Sequence, residues 1–435
     1  MNKLKEFTYK QITNAWCLYD WGSSAFSTTV EAAVLPVYFG QITRDVFAGN
    51  VATAYWGYVN ALSLLVVALM APILGSIADY TGGKKRFLSL FAGIGVVATA
   101  LLVLVNTGDW TLALLLFFFG TIGFGGSYIF YDALLSHITD EDERDYISAK
   151  GYALGYVGGG LLLAANIAMI WFLDVNNWGT RLSFLSVAVW WTVFTIPLLR
   201  RVPEPPANTS GIGEGVKPWV AGFKRLGTTF REIRKYRELF KFLIAFWLYN
   251  DGIGTIIKMA TIYGQEIGIG DLDLVGALLL TQFVGIPFSL LFGKISKRLG
   301  TKRSIIVGLS WYALITIGGY FMSTAWHFWA LAIAVGMVQG GTQALSRSLY
   351  SQMAPTARSA EFFGFYDISS KFAGIVGPAL FGLVSQLAGE SRLSIVSLAI
   401  FFVGGIFLLT RVDEDEGRRI ARAENARAEA AGVIT

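Results

Sequence analysis

The chain has 435 residues, 54% of them hydrophobic, 14% aromatic and only 15% charged, with a mean hydropathy of +0.54. That balance excludes a soluble globule, because many apolar runs approach or exceed ~18 residues, the length a helix needs to cross a hydrocarbon core. The formal charge of +5 does not mark a nucleic-acid binder: the cations sit in short segments between apolar runs, where the positive-inside rule accounts for them.

A bilayer admits only helices or closed barrels, since backbone groups must be satisfied internally. Barrel strands would alternate apolar and polar residues. The runs Leu64 to Met70 and Leu112 to Phe119 do not alternate, so the expectation is all-α. One cysteine, Cys17, and two distant histidines, His137 and His327, leave no disulfide within one chain and argue against a metal site. No metal or cofactor is expected.

In chain order the pattern predicts twelve spans, at about 12–40, 52–78, 86–106, 110–136, 148–174, 180–200, 239–265, 273–293, 303–323, 326–352, 361–388 and 391–411. The start, Met1 to Lys5, resembles a signal n-region. The run behind it is too long for one and carries Asp20 and Glu31, so it reads as a retained first helix. With both termini in the cytoplasm, nearly all of the 35 Lys and Arg fall on the inner side. Arg44, Arg181 and Arg392 fall outside, and Lys258, Arg347 and Lys371 lie within spans. The acidic 4–5 loop, Asp140 to Asp145, carries little weight in that rule. Pro203 to Pro206 and the Gly/Ser-rich stretch Asn208 to Gly215 read as a linker. The sequon at Asn208 falls inside and is discounted. Trp219 to Phe240 mixes apolar and basic residues as an interfacial amphipathic helix does, and the tail after Asp413 reads as a solvated helix. The domains expected are an N-terminal six-helix bundle (1–202), a cytoplasmic linker (203–238), a C-terminal six-helix bundle (239–411) and a cytoplasmic tail (412–435).

The halves repeat. Gly75, Asp79, Gly82, Lys84, Lys85 and Arg86 follow span 2. Gly293, Lys297, Gly300, Lys302 and Arg303 follow span 8 in the same layout, with Lys297 where Asp79 stands. Leu18-Tyr19-Asp20-Trp21-Gly22 returns as Leu248-Tyr249-Asn250-Asp251-Gly252, and Gly125-Gly126 as Gly340-Gly341. Two alike halves in one orientation are a parallel duplication, as in duplicated transporters.

The loop after span 2 resembles the major facilitator superfamily motif: a glycine, an aspartate four on, a glycine three further, then basic residues. The degenerate second copy, the twelve spans and the long central loop extend the resemblance over nearly the whole chain. It implies two pseudo-symmetric bundles of six helices. Span 4 departs from many proton-driven members, having Gly120 to Gly126 where they carry an arginine. The opening Asn14 to Phe26 is similar to a narrower group, the "unknown major facilitator" family that includes the fungal autophagy-linked vacuolar amino-acid effluxer.

Ionisable groups inside spans are costly, so they face a wet cavity or a partner. Asp20 and Glu31 share a face of span 1, and Asp251 and Lys258 a face of span 7. The expectation is that Asp20 couples a proton while Asp251 with Lys258 holds a zwitterion. Tyr19, Trp21, Tyr128, Asn250, Gln339 and Gln343 are candidate cavity residues, against the simpler reading that such aromatics pack or belt the membrane. Asp367 and Lys371 have ion-pair spacing, read as structural. Asp132 and Arg347 occupy matching places in spans 4 and 10, either as a gate latch or as snorkelling helix ends. Gly75 permits a close helix approach and Gly82 a tight turn. Asp79 is placed to cap a helix or pair with an arginine, latching the halves.

No Walker loop is present, and no clustered nucleophile and base suggests an enzyme. The expected function is secondary active transport of a small polar solute, an amino acid or similar and in the efflux direction by resemblance, with protons as candidate coupling ion. The expected state is a monomer in the plasma (inner) membrane. The alternatives are a transporter-like sensor, a polytopic protein without turnover, or a multidrug or sugar facilitator of the same fold.

Overall fold

The structure, a computed structural model, describes residues 7–43, 46, 49–173, 175–208, 217, 219–220, 224, 235–373, 376–377, 380–381, 384 and 392–430. The signal-like Met1 to Lys5, Arg44, most of the expected interfacial helix and Pro378 lie outside the described residues. Every regular element described is helical.

The first span is one long rod with a change of pitch. Helix α1 (Tyr9–Ala25) starts on a capping box between Thr8 and Gln11, passes into a π-helical stretch (Phe26–Ala33), and continues as α2 (Val34–Thr43). Wider π turns of this kind concentrate at functional sites, and Glu31 sits half-buried in this one. The chain continues as α3 (Gly49–Thr81), α4 (Lys84–Leu101), α5 (Trp110–Ile138), α6 (Arg144–Phe172) and α7 (Trp178–Arg201). Beyond the linker follow α8 (Arg237–Glu266), α9 (Asp271–Leu299), α10 (Thr301–Tyr320), α11 (Ala325–Met353) and α12 (Ser359–Phe372). Last come α13 (Arg392–Ser397), α14 (Ala399–Thr410) and the tail helix α15 (Glu414–Ala430).

Eight described stretches are long and apolar enough to cross a membrane, among them Lys84–Leu104, Trp110–Ile138, Arg144–Phe172 and Ala325–Met353. The protein is an all-helical, multi-pass integral membrane protein. Those eight leave out the charged first span and α8, which carries Arg237, Glu238, Lys241, Asp251 and Lys258. Apolar side chains such as Leu65, Leu69, Val97 and Phe407 point outward, as a lipid-facing surface requires. Trp171, Phe172, Phe321 and Trp326 are exposed at helix ends, where aromatic belts sit.

The repeat is visible in the backbone. Gly82 and Gly300 both take positive φ, +63° and +83°, at matching turns. That region suits glycine, which has no Cβ to clash. Helix α3 packs along α12, and α9 along α6. A Cβ on Gly75 would lie 2.1 Å from the Ala360 carbonyl oxygen, so these backbones approach as closely as only glycine permits. The tail helix is not the free extension expected: one side docks, while the rest stays exposed. Asn425 Oδ1 accepts from Thr356 N (2.8 Å), Glu424 pairs with Lys235 and accepts from the Tyr236 hydroxyl (2.5 Å), and Gly417 lies against Met353. Local contacts to the α11–α12 turn win over solvation because α15 presents Asn425 and Glu424 to donors already in place.

Candidate functional site

Toward the C-terminal end of α11 a single guanidinium ties distant parts of the chain together. Arg347, on α11, is 1% exposed, and its neighbours come from α1, α5 and α6. Nη1 lies 3.1 Å from Asp132 Oδ1 and 3.5 Å from Asp20 Oδ2. Nε donates to Ser148 Oγ (2.9 Å) and Nη2 to the Ser148 carbonyl (2.9 Å). The guanidinium carbon lies 4.9 Å from the Trp16 ring centre, 5.7 Å from Tyr131 and 4.5 Å from Tyr152, distances at which a ring face attracts a cation.

Asp20 is fixed from a second side. Tyr128 donates to Oδ1 and Tyr131 to Oδ2, each at 2.8 Å. Tyr19 turns away to Ser127 (2.6 Å), and Tyr249, its counterpart in the repeat, bonds Ser346 at the same distance. Asp132 and Arg347 hold equivalent places in the repeat and here meet each other. Snorkelling is therefore ruled out: Arg347 is buried and paired, not reaching for an interface.

The loop motif closes the same end. Asp79 is 0% exposed and pairs with Lys84 (2.6 Å), itself 1% exposed. Its carboxylate also accepts the backbone N–H groups of Glu361 (2.9 Å) and Ala360 (3.3 Å). These are orphan donors at the start of α12, so Asp79 caps that helix and meets the positive end of its dipole. Its ionic partner is thus a lysine rather than the expected arginine. Lys84 is buried in the motif and does more than set topology.

The linker start is strapped across this loop. Asn208 N donates to the Asp79 carbonyl (2.8 Å), and Asn208 Nδ2 to the Ala357 carbonyl (2.9 Å). Lys85 N donates to Glu204 Oε1 (2.9 Å), and Lys85 Nζ to the Val202 carbonyl (2.6 Å). Burial raises the Glu204 carboxyl pKa above its usual range, although the Lys85 N–H and nearby cations work against that. Arg86, in the first turn of α4, is exposed.

Other expected site residues lie apart. Asp251 is buried, and both its oxygens lie 3.1 Å from the Gly377 N–H. That donor sits just past the end of α12, where Ala373 is extended, so the carboxylate satisfies backbone freed by a broken helix. Asn250 and Gln343 are half-buried. Gln339 lines a cavity of about 100 Å³ with Tyr263, Thr281, Gln282, Thr316 and Met322. Small-molecule sites measure ~300–1,000 Å³, so this conformation offers only part of one. The side chains of Lys258, Asp367 and Lys371 lie outside the described residues.

Trp16, Tyr131, Ser148 and Tyr152, which enclose Arg347, do not stand out in the sequence, nor does Glu361, and Asn208 stands out only as a sequon. Their one signal is spacing: Trp16, Tyr19 and Asp20 share a face of α1, as Tyr128, Tyr131 and Asp132 do of α5.

Helices that meet at close-approach glycines, with a charged cluster bridging two repeats, define a membrane protein of the major facilitator fold. The proton:xylose symporter XylE, at 15% identity, superposes with a TM-score of 0.70 over 94% of this chain and 96% of its own, which establishes the fold alone. Residues 46–422 match the model for the Atg22-like vacuole effluxers, and the chain belongs to that family. The MFS-type transporter YxiO of Bacillus subtilis (strain 168) is 40% identical over 97% of this chain and 99% of its own. Autophagy-related protein 22 of Coccidioides immitis (strain RS) is 22% identical over 95% of this chain and 88% of its own.

Proposed function

We propose that this protein is a secondary active transporter that moves a small polar solute, an amino acid or similar, by alternating access. In this reading twelve spans form two six-helix halves, 1–202 and 239–411. The termini and the linker (203–238) are cytoplasmic, and the motif loop marks the cytoplasmic end. The chain works as a monomer in the inner membrane, in the direction of efflux. The observation that carries the reading is the Arg347 bridge: equivalent positions of two repeats pair across the junction of the halves, at the end Asp79 also closes. Such a bridge makes one state discrete, and a solute or ion that competes for it selects the other.

Asp20 is the coupling carboxylate in this reading. Groups facing it are Tyr128 and Tyr131 from α5, Arg347 from α11, Tyr152 from α6 and Cys17 on its own helix. Lys150 is taken by Asn14 (2.5 Å). A proton on Asp20 removes one of the two charges that hold Arg347. The family relationship supports transport over catalysis. The test is a thermal-shift screen of the purified protein against amino acids, peptides, sugars and nucleosides. Flux of the stabilising solute into proteoliposomes follows. Stabilisation without flux would mean a sensor and not a transporter.

A further inference from the structure

The group that fills the Arg347 site belongs to one half, while its walls belong to the other. Trp16 and Asp20 lie on α1, Tyr128, Tyr131 and Asp132 on α5, and Ser148 and Tyr152 on α6. Only the occupant comes from α11. One wall is shaped for the occupant by a glycine. A Cβ on Gly151 would lie 2.8 Å from Asp20 Oδ2, 3.0 Å from the Trp16 ring and 3.2 Å from Arg347 Nη2. The hollow therefore has two carboxylates, three ring faces and no room for a methyl group beyond the guanidinium it holds. The neighbouring cation, Lys150, is bound to Asn14 and is not the occupant.

In the alternating-access reading, on which this inference rests, α11 moves with its own half when this end opens. Arg347 then leaves the hollow. Asp20, still holding the Tyr128 and Tyr131 hydroxyls, and Asp132 would then face the hollow without the guanidinium between them, two negative charges beside ring faces. Aromatic faces beside carboxylates select weakly hydrated organic cations, because the rings add attraction that a tightly hydrated ion does not recover.

We propose that the vacated hollow is a binding subsite for an organic cation, the guanidinium or primary ammonium group of a solute, and that Arg347 is its built-in competitor. Arg347 and the solute exclude each other, so a bound solute holds this end open and its departure lets Arg347 return.

The test uses purified full-length Arg347→Ala, with methylguanidinium chloride and ethylammonium chloride as probes and sodium chloride as the matched control. Each probe should raise its Tm by several degrees in a saturable way, while sodium chloride does not. The shift should vanish in Arg347→Ala with Asp20→Asn, and in Arg347→Ala with Gly151→Ala, which fills the hollow. Wild type should bind the same probes at least tenfold more weakly, because its own arginine competes. Should Arg347→Ala fail to fold, Arg347→Gln keeps a donor for Ser148 without the charge and serves in its place. No shift in the folded variant, or equal affinity in wild type, overturns the proposal. Probe binding without solute flux in proteoliposomes would remove the transporter reading and leave the subsite standing. Flux without probe binding would do the reverse.

Discussion

Replacing Asp79 with Asn tests how firmly the closed end is held. The substitution leaves one oxygen to accept from the start of α12 but removes the charge that faces Lys84 at 2.6 Å. Lys84 is then a buried ammonium without its counter-charge. Breaking a buried pair from one side costs about 3–5 kcal/mol, and the retained cap argues for the lower figure. In the alternating-access reading Lys84 loses the burial that α12 gives this turn when the halves separate, so the loss falls mainly on the closed state. A shift of ~3 kcal/mol raises the open population ~100-fold. The assay exploits the single cysteine. Cys17→Ser gives a cysteine-free background, and Ser351→Cys places a reporter that is 1% exposed. Ser351 lies at the junction, where its carbonyl accepts from Arg144 Nη1 (3.1 Å). Labelling by a membrane-impermeant maleimide follows the open population, so Asp79→Asn should speed it by one to two orders of magnitude. An unchanged rate in a folded variant would refute the latch.

Gly75→Leu should block closure outright, since even a Cβ meets the Ala360 carbonyl at 2.1 Å; the maleimide assay should show permanent labelling and flux should be lost. Asn208→Ala removes the Nδ2 bond to the Ala357 carbonyl (2.9 Å) but keeps the backbone N–H bond to Asp79, and should weaken closure by about 1 kcal/mol, read as a roughly fivefold faster labelling rate with solute affinity unchanged. The tail latch has a pH signature. Burial works to raise the Glu424 carboxyl pKa, but hydrogen bonds from Lys235 and Tyr236 and the charges of Lys235 and Arg358 outweigh it and leave it below the usual range. A depressed carboxyl contributes stability that is complete above its free-chain value, ~4.3, and is lost as pH falls through the folded one. Docking should therefore be intact at pH 7 and fail only in acid, whereas Glu424→Gln should expose α15 to limited proteolysis at pH 7.

The features legible in the sequence were those with a period or a repeat. Apolar runs announce membrane helices, and the paired glycines announce turns that the structure places at Gly82 and Gly300. Asp79 stood out because a carboxylate beside two glycines and three cations interrupts an apolar pattern. The partners of these groups were not legible. Arg347 meets Asp20 and Asp132 from far along the chain, and no local pattern reports which face of α11 turns toward the other half. The rings around it look like ordinary membrane aromatics until their centres converge on one cation. Asp251 has a partner of another kind that was not legible: its buried carboxylate accepts the Gly377 N–H. That need arises from a break in the helix after Phe372, which periodicity does not reveal. The tail was misread because its composition describes a solvated helix, whereas its docking depends on single residues such as Asn425.

The central claim is that solute movement is coupled to a proton on Asp20 as Arg347 is released. The direct measurement is proton flux in proteoliposomes filled with a pH-sensitive dye, started by adding the solute found in the stabilisation screen. Solute should drive a matching proton movement in the wild type. In Asp20→Asn, which also loses a carboxylate of the cation subsite, the proton movement should vanish. Solute flux of equal rate in both proteins, without any proton movement and indifferent to an imposed pH gradient, would contradict it.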